Sequence, residues 1–466
     1  MCDFVVTKNV FMIWIAASLA FLSLFLCYVA PNEYSYHFCL LLHNIFICYN
    51  ILYFIVYKNE GIICFQFMFA IGFYFTNFFY PIFWYSSEYT FFSLFSYSFN
   101  IDIISYATSV AFLAFCFYML GVICCKNVRI NIPKNNVNVV ITDVKRIAIA
   151  LFIVFLSFLC VGGFNYFAKQ YQEGEMGGEG SAIIRYLNLL VNVLSILLSI
   201  FILRKNIFSL WWGRIGLAIL LLVIGGLLLA GSRTLPLALL LVLFVTFNDY
   251  RKKIPFFPFI ICLFLGMCVM TFISFTRNLD LSAPDYLTVG FVFFDSDALM
   301  ILGSDLIINN RNLYSLVDYA DHNGYTYILT QLSVLLSPVP LLLGMVCMLF
   351  GINPMFVGSS SYNTYLALGN DPPLGLGTNA VADIYLSFGI IGVICCFFFL
   401  GFIIEKSKRL SKMGNTNYTI IYYSLVSSSI FMCRNHIFGE FRTIVWGILI
   451  IYLLRHLKLW NYKIRL

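Results

Sequence analysis

The residues of this chain best placed to do chemistry are arginines, with histidines and carboxylates near them. In Arg434-Asn435-His436-Ile437-Phe438-Gly439-Glu440-Phe441-Arg442 a histidine precedes a glutamate by one helical turn, between two arginines. On a helix His436 and Glu440 would be neighbours, and an imidazole oriented by a carboxylate is a candidate general base. In a solvated turn the same residues would form only a surface ion pair. Gly231-Ser232-Arg233-Thr234 sets an arginine at a helix start, with Thr234 as a cap and Pro236 in the first turn. Backbone N–H groups there favour an anion; the plainer reading is a tight turn with a snorkelling side chain. Asp321-His322-Asn323-Gly324-Tyr325 supplies a further histidine, and Asp383 opens a later apolar run. His436, Glu440, His322 and Asp383 are therefore the candidates for acid–base work.

The basic residues Lys169, Arg185, Arg233, Arg277, Arg311, Arg434 and Arg442 fall on one membrane face in the topology below. Charge near a span end is costly and is usually turned to an interior cavity. Arginine keeps its charge and grips phosphate oxygens through a planar fork. Such a set suits a lipid-linked diphosphate; snorkelling and ion pairing with nearby acids is the alternative. No paired CxxC motif and no compact cluster of acids is present, so neither a metal nor a cofactor is expected. The 15 Cys read as small apolar residues, and the net charge of +7 as the basic excess of loops rather than a nucleic-acid signal.

These residues must be positioned by membrane helices. Of 466 residues 61% are hydrophobic and only 11% charged, against about 25% charged in a soluble domain. Apolar runs near the ~20 residues that cross a bilayer recur at 10–30, 37–57, 61–85, 102–125, 147–168, 183–203, 215–230, 235–248, 255–275, 379–404, 418–433 and 443–454. The first is too long for a signal-peptide core, and Pro31 directly after it argues against cleavage there. The expected fold is an all-α integral membrane protein of about twelve spans. Both termini are expected in the cytoplasm, because Lys126 to Arg146, Arg251 to Lys253, Lys406 to Lys412 and Arg455 to Arg465 then lie inside. The chain divides into a membrane region at 1–275, a long periplasmic loop at 276–378 carrying short interfacial helices, and a membrane region at 379–466. Leu329–Ile352 is apolar enough to span, but Pro338 and Pro340 interrupt it, and a crossing there would put Lys406 to Lys412 outside. It is expected to be broken, interfacial or re-entrant. The segments bounding Arg233 are short, roughly 24 and 21 Å at about 1.5 Å per residue, which would sink Arg233 below the surface.

The order of several short motifs resembles the O-antigen polymerases of the Wzy type. They are Arg185 opening a span that ends in Arg204-Lys205, Gly231-Ser232-Arg233, Arg277, and Gly324-Tyr325-Thr326-Tyr327 followed by Pro338 and Pro340. The run Gly375 to Gly389 and the pair Arg434 and Arg442 complete the set. Val339 stands where many relatives are basic, and Asp383 where Glu is frequent. The resemblance implies an inverting glycosyltransferase of the bacterial inner membrane. It would join undecaprenyl-diphosphate-linked oligosaccharides, as donor and acceptor, on the periplasmic face. It also implies diphosphate binding by Arg233 and Arg434, with Arg185, Arg277 and Arg442 assisting, and a chain-length regulator as a partner besides the lipid bilayer. Arg311 lies outside the pattern, and Arg311→Lys is expected to be nearly silent. Rival readings are an O-antigen ligase, to whose His-Asn loop motif His322-Asn323 is similar, a flippase or transporter, and a metal-dependent lipid-sugar transferase.

Overall fold

The computed structural model describes residues 2–58, 61, 63–85, 99–128, 141–163, 182–203, 208–229, 232, 234–277, 304–370, 372 and 375–463. Among them helix accounts for 81% and there is no strand. In chain order the helices are α1 (Cys2–Tyr28), α2 (Tyr36–Val56), α3 (Phe65–Asn77), α4 (Ile104–Asn127), α5 (Ile141–Cys160), α6 (Ala182–Ile202), α7 (Trp211–Leu229), α8 (Thr234–Tyr250) and α9 (Phe256–Arg277). They continue as α10 (Ser304–Ile307), α11 (Asn309–Asn323), α12 (Leu332–Leu336), α13 (Leu342–Phe350), α14 (Ser359–Leu368), α15 (Ala380–Lys412), α16 (Thr416–Ser428) and α17 (Phe441–Lys463).

Among the described residues six stretches are long and apolar enough to cross a membrane: Asn9–Tyr28 in α1, α2, α4, Ile183–Ile202 in α6, α7 and α15. Thr234–Tyr250, Phe256–Gly266 and Phe441–Leu454 are apolar but shorter. The chain is thus a multi-pass, all-α membrane protein. A helix overlaps each of the expected spans, although α3 and α16 have only 13 residues each. The helices bounding Arg233 are longer than their apolar cores: α7 has 19 residues and α8 has 17. At about 1.5 Å per residue α7 approaches the ~30 Å core while α8 stays short of it, and Arg233 between them lies outside the described residues.

The helices form two compact units, each drawn from three stretches, and this division by packing cuts across the one in chain order at 275 and 378. The first comprises Met1–Ile132, Gly303–Leu410 and Ser429–Gly439. Its α1 buries Met12, Ala16, Ala20, Ser23 and Cys27, one stripe at helical spacing, and leaves Trp14, Phe21 and Phe25 exposed. That is the pattern of a span with a single protein-facing edge. Against it runs α4, buried on nearly every side. Gly121 of α4 lies on the Phe398 carbonyl of α15, and Gly401 of α15 on the Tyr118 carbonyl, so the two backbones touch where no side chain fits. At the charged end, Arg409 Nη1 donates to the Cys125 and Val128 carbonyls, 2.5 and 2.9 Å away, closing the C-terminus of α4. Phe46, Phe73, Phe78 and Phe115 fill the core beside it.

The apolar stretch 329–352 is broken, as its prolines require. A 3-10 turn at Leu329–Gln331 leads into α12, the chain passes Leu341 in the left-handed region at φ 62°, and α13 ends at Gly351 at φ 61°. α15 bends at Gly389, whose φ of 61° no β-carbon would permit here because the Tyr325 ring occupies its place. The Leu386 carbonyl, one turn before the bend, takes hydrogen bonds from the Thr326 N–H at 2.9 Å and hydroxyl at 3.2 Å.

The second unit comprises Pro133–Leu302, Ser411–Ser428 and Glu440–Leu466. α5 buries Val144, Ile147, Ala148, Leu151, Phe155 and Phe158 as one stripe, against α6 and α7. α8 packs on α16, where the Tyr423 hydroxyl donates to Asp249 Oδ2 at 2.8 Å.

Candidate functional site

The first unit gathers a buried polar cluster around Asp383. Asn379 starts α15 as its N-cap: Oδ1 accepts from the Val381 N–H at 2.9 Å, while Nδ2 donates to Asn77 Oδ1 at 3.0 Å. The cap fixes the first turn, and Asp383 and Ser387 follow at one-turn intervals on the same face. Asp383 is wholly buried. Its Oδ1 accepts from Gln331 Nε2 at 2.9 Å and from His436 Nδ1 at 3.2 Å. Its Oδ2 accepts from the Ile437 N–H at 3.3 Å. Gln331 also donates to Ser387 Oγ at 2.9 Å, and Ser387 pairs with Thr330 at 3.0 Å. Ser359 Oγ lies 3.2 Å from His436 Nδ1 and 2.9 Å from Thr378 Oγ1.

Asp383 Oδ1 meets the imidazole as the acceptor that already takes the Gln331 amide. The His436 proton therefore sits on Nδ1, and Nε2 carries the lone pair. Burial pulls the His436 pKa down, but the charge of Asp383 and its hydrogen bond outweigh this and hold it above the ordinary 6.5. The pair has the chemistry of a general base whose proton-accepting atom points away from its anchor.

Sequence spacing paired His436 with Glu440, and that pairing does not arise. Residues 435–440 are turn rather than helix, since Asn435 is extended (φ −123°, ψ 179°); His436 takes its carboxylate from Asp383. Glu440 belongs to the second unit. Burial pushes its pKa up to about 7, against the opposing pull of Thr443, Arg442 and Ser428. Its Oε2 has no hydrogen-bond partner among the described residues.

His322 ends α11 and is exposed; its Nδ1 bonds to the Asp318 carbonyl at 2.9 Å, which with the Asp318 charge raises its pKa. The neighbouring Asp321 accepts from the Tyr385 hydroxyl at 2.6 Å, and Tyr385 meets Tyr106 at 2.9 Å. Partial burial raises the Asp321 pKa, opposed by Tyr385 and His322.

Of the arginines, Arg434 stands in the same turn as His436, with its guanidinium 5.9 Å from the centroid of the Phe431 ring. Arg185 and Arg442 are exposed on α6 and α17 of the second unit. Arg277 ends α9, and its side chain lies outside the described residues, as does Arg233 altogether; Ser232 beside it is buried. Arg311 is 2% exposed, with Nη1 3.5 Å from Asn363 Oδ1 amid Asn309, Asn310 and Asn312. A charge so enclosed is not a silent position, so Arg311→Lys cannot serve as a control.

Among the described residues no three His, Cys, Asp or Glu converge as metal ligands. Gln331 and Ser359 are site residues that motif reading passed over, and Ser387 stood in the Gly375 to Gly389 run with no role assigned to it. For Ser387 the one signal was the spacing Asn379, Asp383, Ser387, a polar stripe in an otherwise apolar helix. No family model, curated protein or solved structure matches this chain.

Proposed function

We propose that this protein is a membrane-embedded inverting glycosyltransferase of the O-antigen polymerase type, with His436 as general base and Asp383 as the carboxylate that positions it. One observation carries the reading. A histidine polarised by a fully buried carboxylate stands in the same turn as an arginine, beside the end of α15 remote from the basic stretch Lys406 to Lys412.

In the reaction, His436 Nε2 takes the proton of a hydroxyl on the distal sugar of a new lipid-linked unit. The freed oxygen bonds to the anomeric carbon of the growing glycan from the face opposite its phosphate. The carbon–oxygen bond to phosphate breaks, and its electron pair leaves with undecaprenyl diphosphate. Arg434 meets the developing negative charge; the resemblance also assigns Arg233, Arg185, Arg277 and Arg442 to the diphosphate. The chain crosses the inner membrane about twelve times with cytoplasmic termini, and the reaction takes place on the periplasmic face.

The test is the surface glycan of a deletion strain. A ladder reduced to a single repeat, restored by the intact gene and not by His436→Gln, supports polymerisation. Loss of all attached glycan would point to a ligase or a flippase and overturn the assignment.

A further inference from the structure

From Asn323 to Asn370 the chain carries no Asp, Glu, Lys, Arg or His. Within this stretch stands α13, apolar along its whole length apart from Gly344. Only Cys347 of its residues is buried, while Met345, Met348, Leu349 and Phe350 are 66, 87, 79 and 67% exposed. A helix that is apolar on every side is at home only where something apolar surrounds it. Bounded by the left-handed residues Leu341 and Gly351, and bare except along the edge of Cys347, α13 projects from the unit like a finger.

The foot of the finger has a fixed height. Thr326 bonds to the Leu386 carbonyl, Thr330 to Ser387 and Gln331 to Asp383. Those α15 residues lie at the start of the charge-free run Tyr385–Ile404, at the end away from Glu405 to Lys412. The foot is therefore level with one border of the hydrocarbon. α13 itself is about 13 Å long at ~1.5 Å per residue, near half of a ~30 Å core.

We propose that α13 is a re-entrant finger immersed in the acyl chains of the leaflet on the Asp383 side, entering the bilayer without crossing it. Lipid is the occupant because a protein partner covers one face of a helix and meets a polar rim, whereas here every face but one is bare and no charge flanks it. A helix satisfies its own backbone groups, so immersion leaves little polar surface in hydrocarbon. The inference is independent of the activity proposed above.

An environment-sensitive fluorescent amino acid at Met348, excited outside tryptophan absorption, tests this in the full-length protein in lipid nanodiscs. Lipids brominated along their acyl chains are one quencher and aqueous iodide is the other. Ile391, 76% exposed on α15, is the reference in hydrocarbon, and exposed Asn323 the reference in water. Quenching at 348 by bromolipid to the extent seen at 391, with no response to iodide, is the expected result. Quenching by iodide as at 323 would overturn the proposal, and so would insensitivity to both, which would mean that protein covers the finger.

Discussion

Asp383 and Tyr385 sit two positions apart on α15 and so face opposite sides of it, and each joins a carboxylate to a proton-bearing partner. On one side the carboxylate is Asp383, wholly buried, and the partner is an imidazole. On the other it is Asp321, exposed near the end of α11, and the partner is the Tyr385 phenol. The same pairing has different consequences because the titrating member differs. Beside Asp383 the imidazole is made more basic and keeps a free nitrogen for an incoming proton. Beside Asp321 the phenol remains protonated at neutral pH, so that hydrogen bond fastens α11 to α15 without moving a proton. Depth alone does not make a site; the buried charge must face a group that titrates near neutrality.

His436→Gln cuts deepest into this contrast. It should lower the rate of repeat-unit joining in proteoliposomes about 10²–10⁴-fold at unchanged protein level. Asp321→Asn should stay within a few-fold of wild type; equal losses in the two variants would erase the distinction. Next comes Arg434→Lys, which keeps the charge and loses the fork. Losing one charge-assisted bond at ~2–3 kcal/mol slows joining roughly 30- to 150-fold, seen as short or single-repeat glycans.

The pH profile sharpens the comparison. His436 must be neutral to accept a proton, so the rate should rise with pH through a midpoint above 6.5. In Asp383→Asn the charge is gone while burial remains, and the midpoint should move down. Stability runs the opposite way. A raised folded-state pKa means the charged pair contributes fully below the unfolded value near 6.5, and the contribution is lost as pH climbs through the folded value. Thermal melts that gain stability across that window would contradict the pair. Gln331→Leu leaves Asp383 short of a donor and should cost about 1–3 kcal/mol, read as a lower Tm. The smallest effect belongs to Tyr385→Phe, about 1 kcal/mol of stability with joining rate unchanged.

The membrane character of the fold was plain in the sequence, because a long apolar run has one stable fate in lipid and its ends announce themselves. The break at 329–352 was legible for the same reason, through Pro338 and Pro340. The partner of His436 was not. Glu440 offered a helical spacing, whereas Asp383 lies 53 residues away in the chain and meets His436 only through packing. Gln331 looked like a stray polar residue in an apolar stretch, and Gly389 like any small residue in a span. Their roles come from the bend of α15, which no local pattern encodes. Arg311 misled in the other direction: a lone charge in a loop reads as solvated until the fold encloses it.

The contact between α4 and α15 also sets a timetable. Arg409 and the Cys125 carbonyl it caps are 284 residues apart, as distant along the chain as the glycine crossing beside them. A ribosome adding about 5–20 residues per second takes on the order of a quarter of a minute to a minute to make the intervening chain. Throughout that interval α1 to α4 are already synthesised, and the bare glycine surface of α4 has no native cover. The first unit can close only when the last third of the protein arrives, so newly made α4 needs a temporary neighbour, lipid or insertion machinery, that gives way to α15 late.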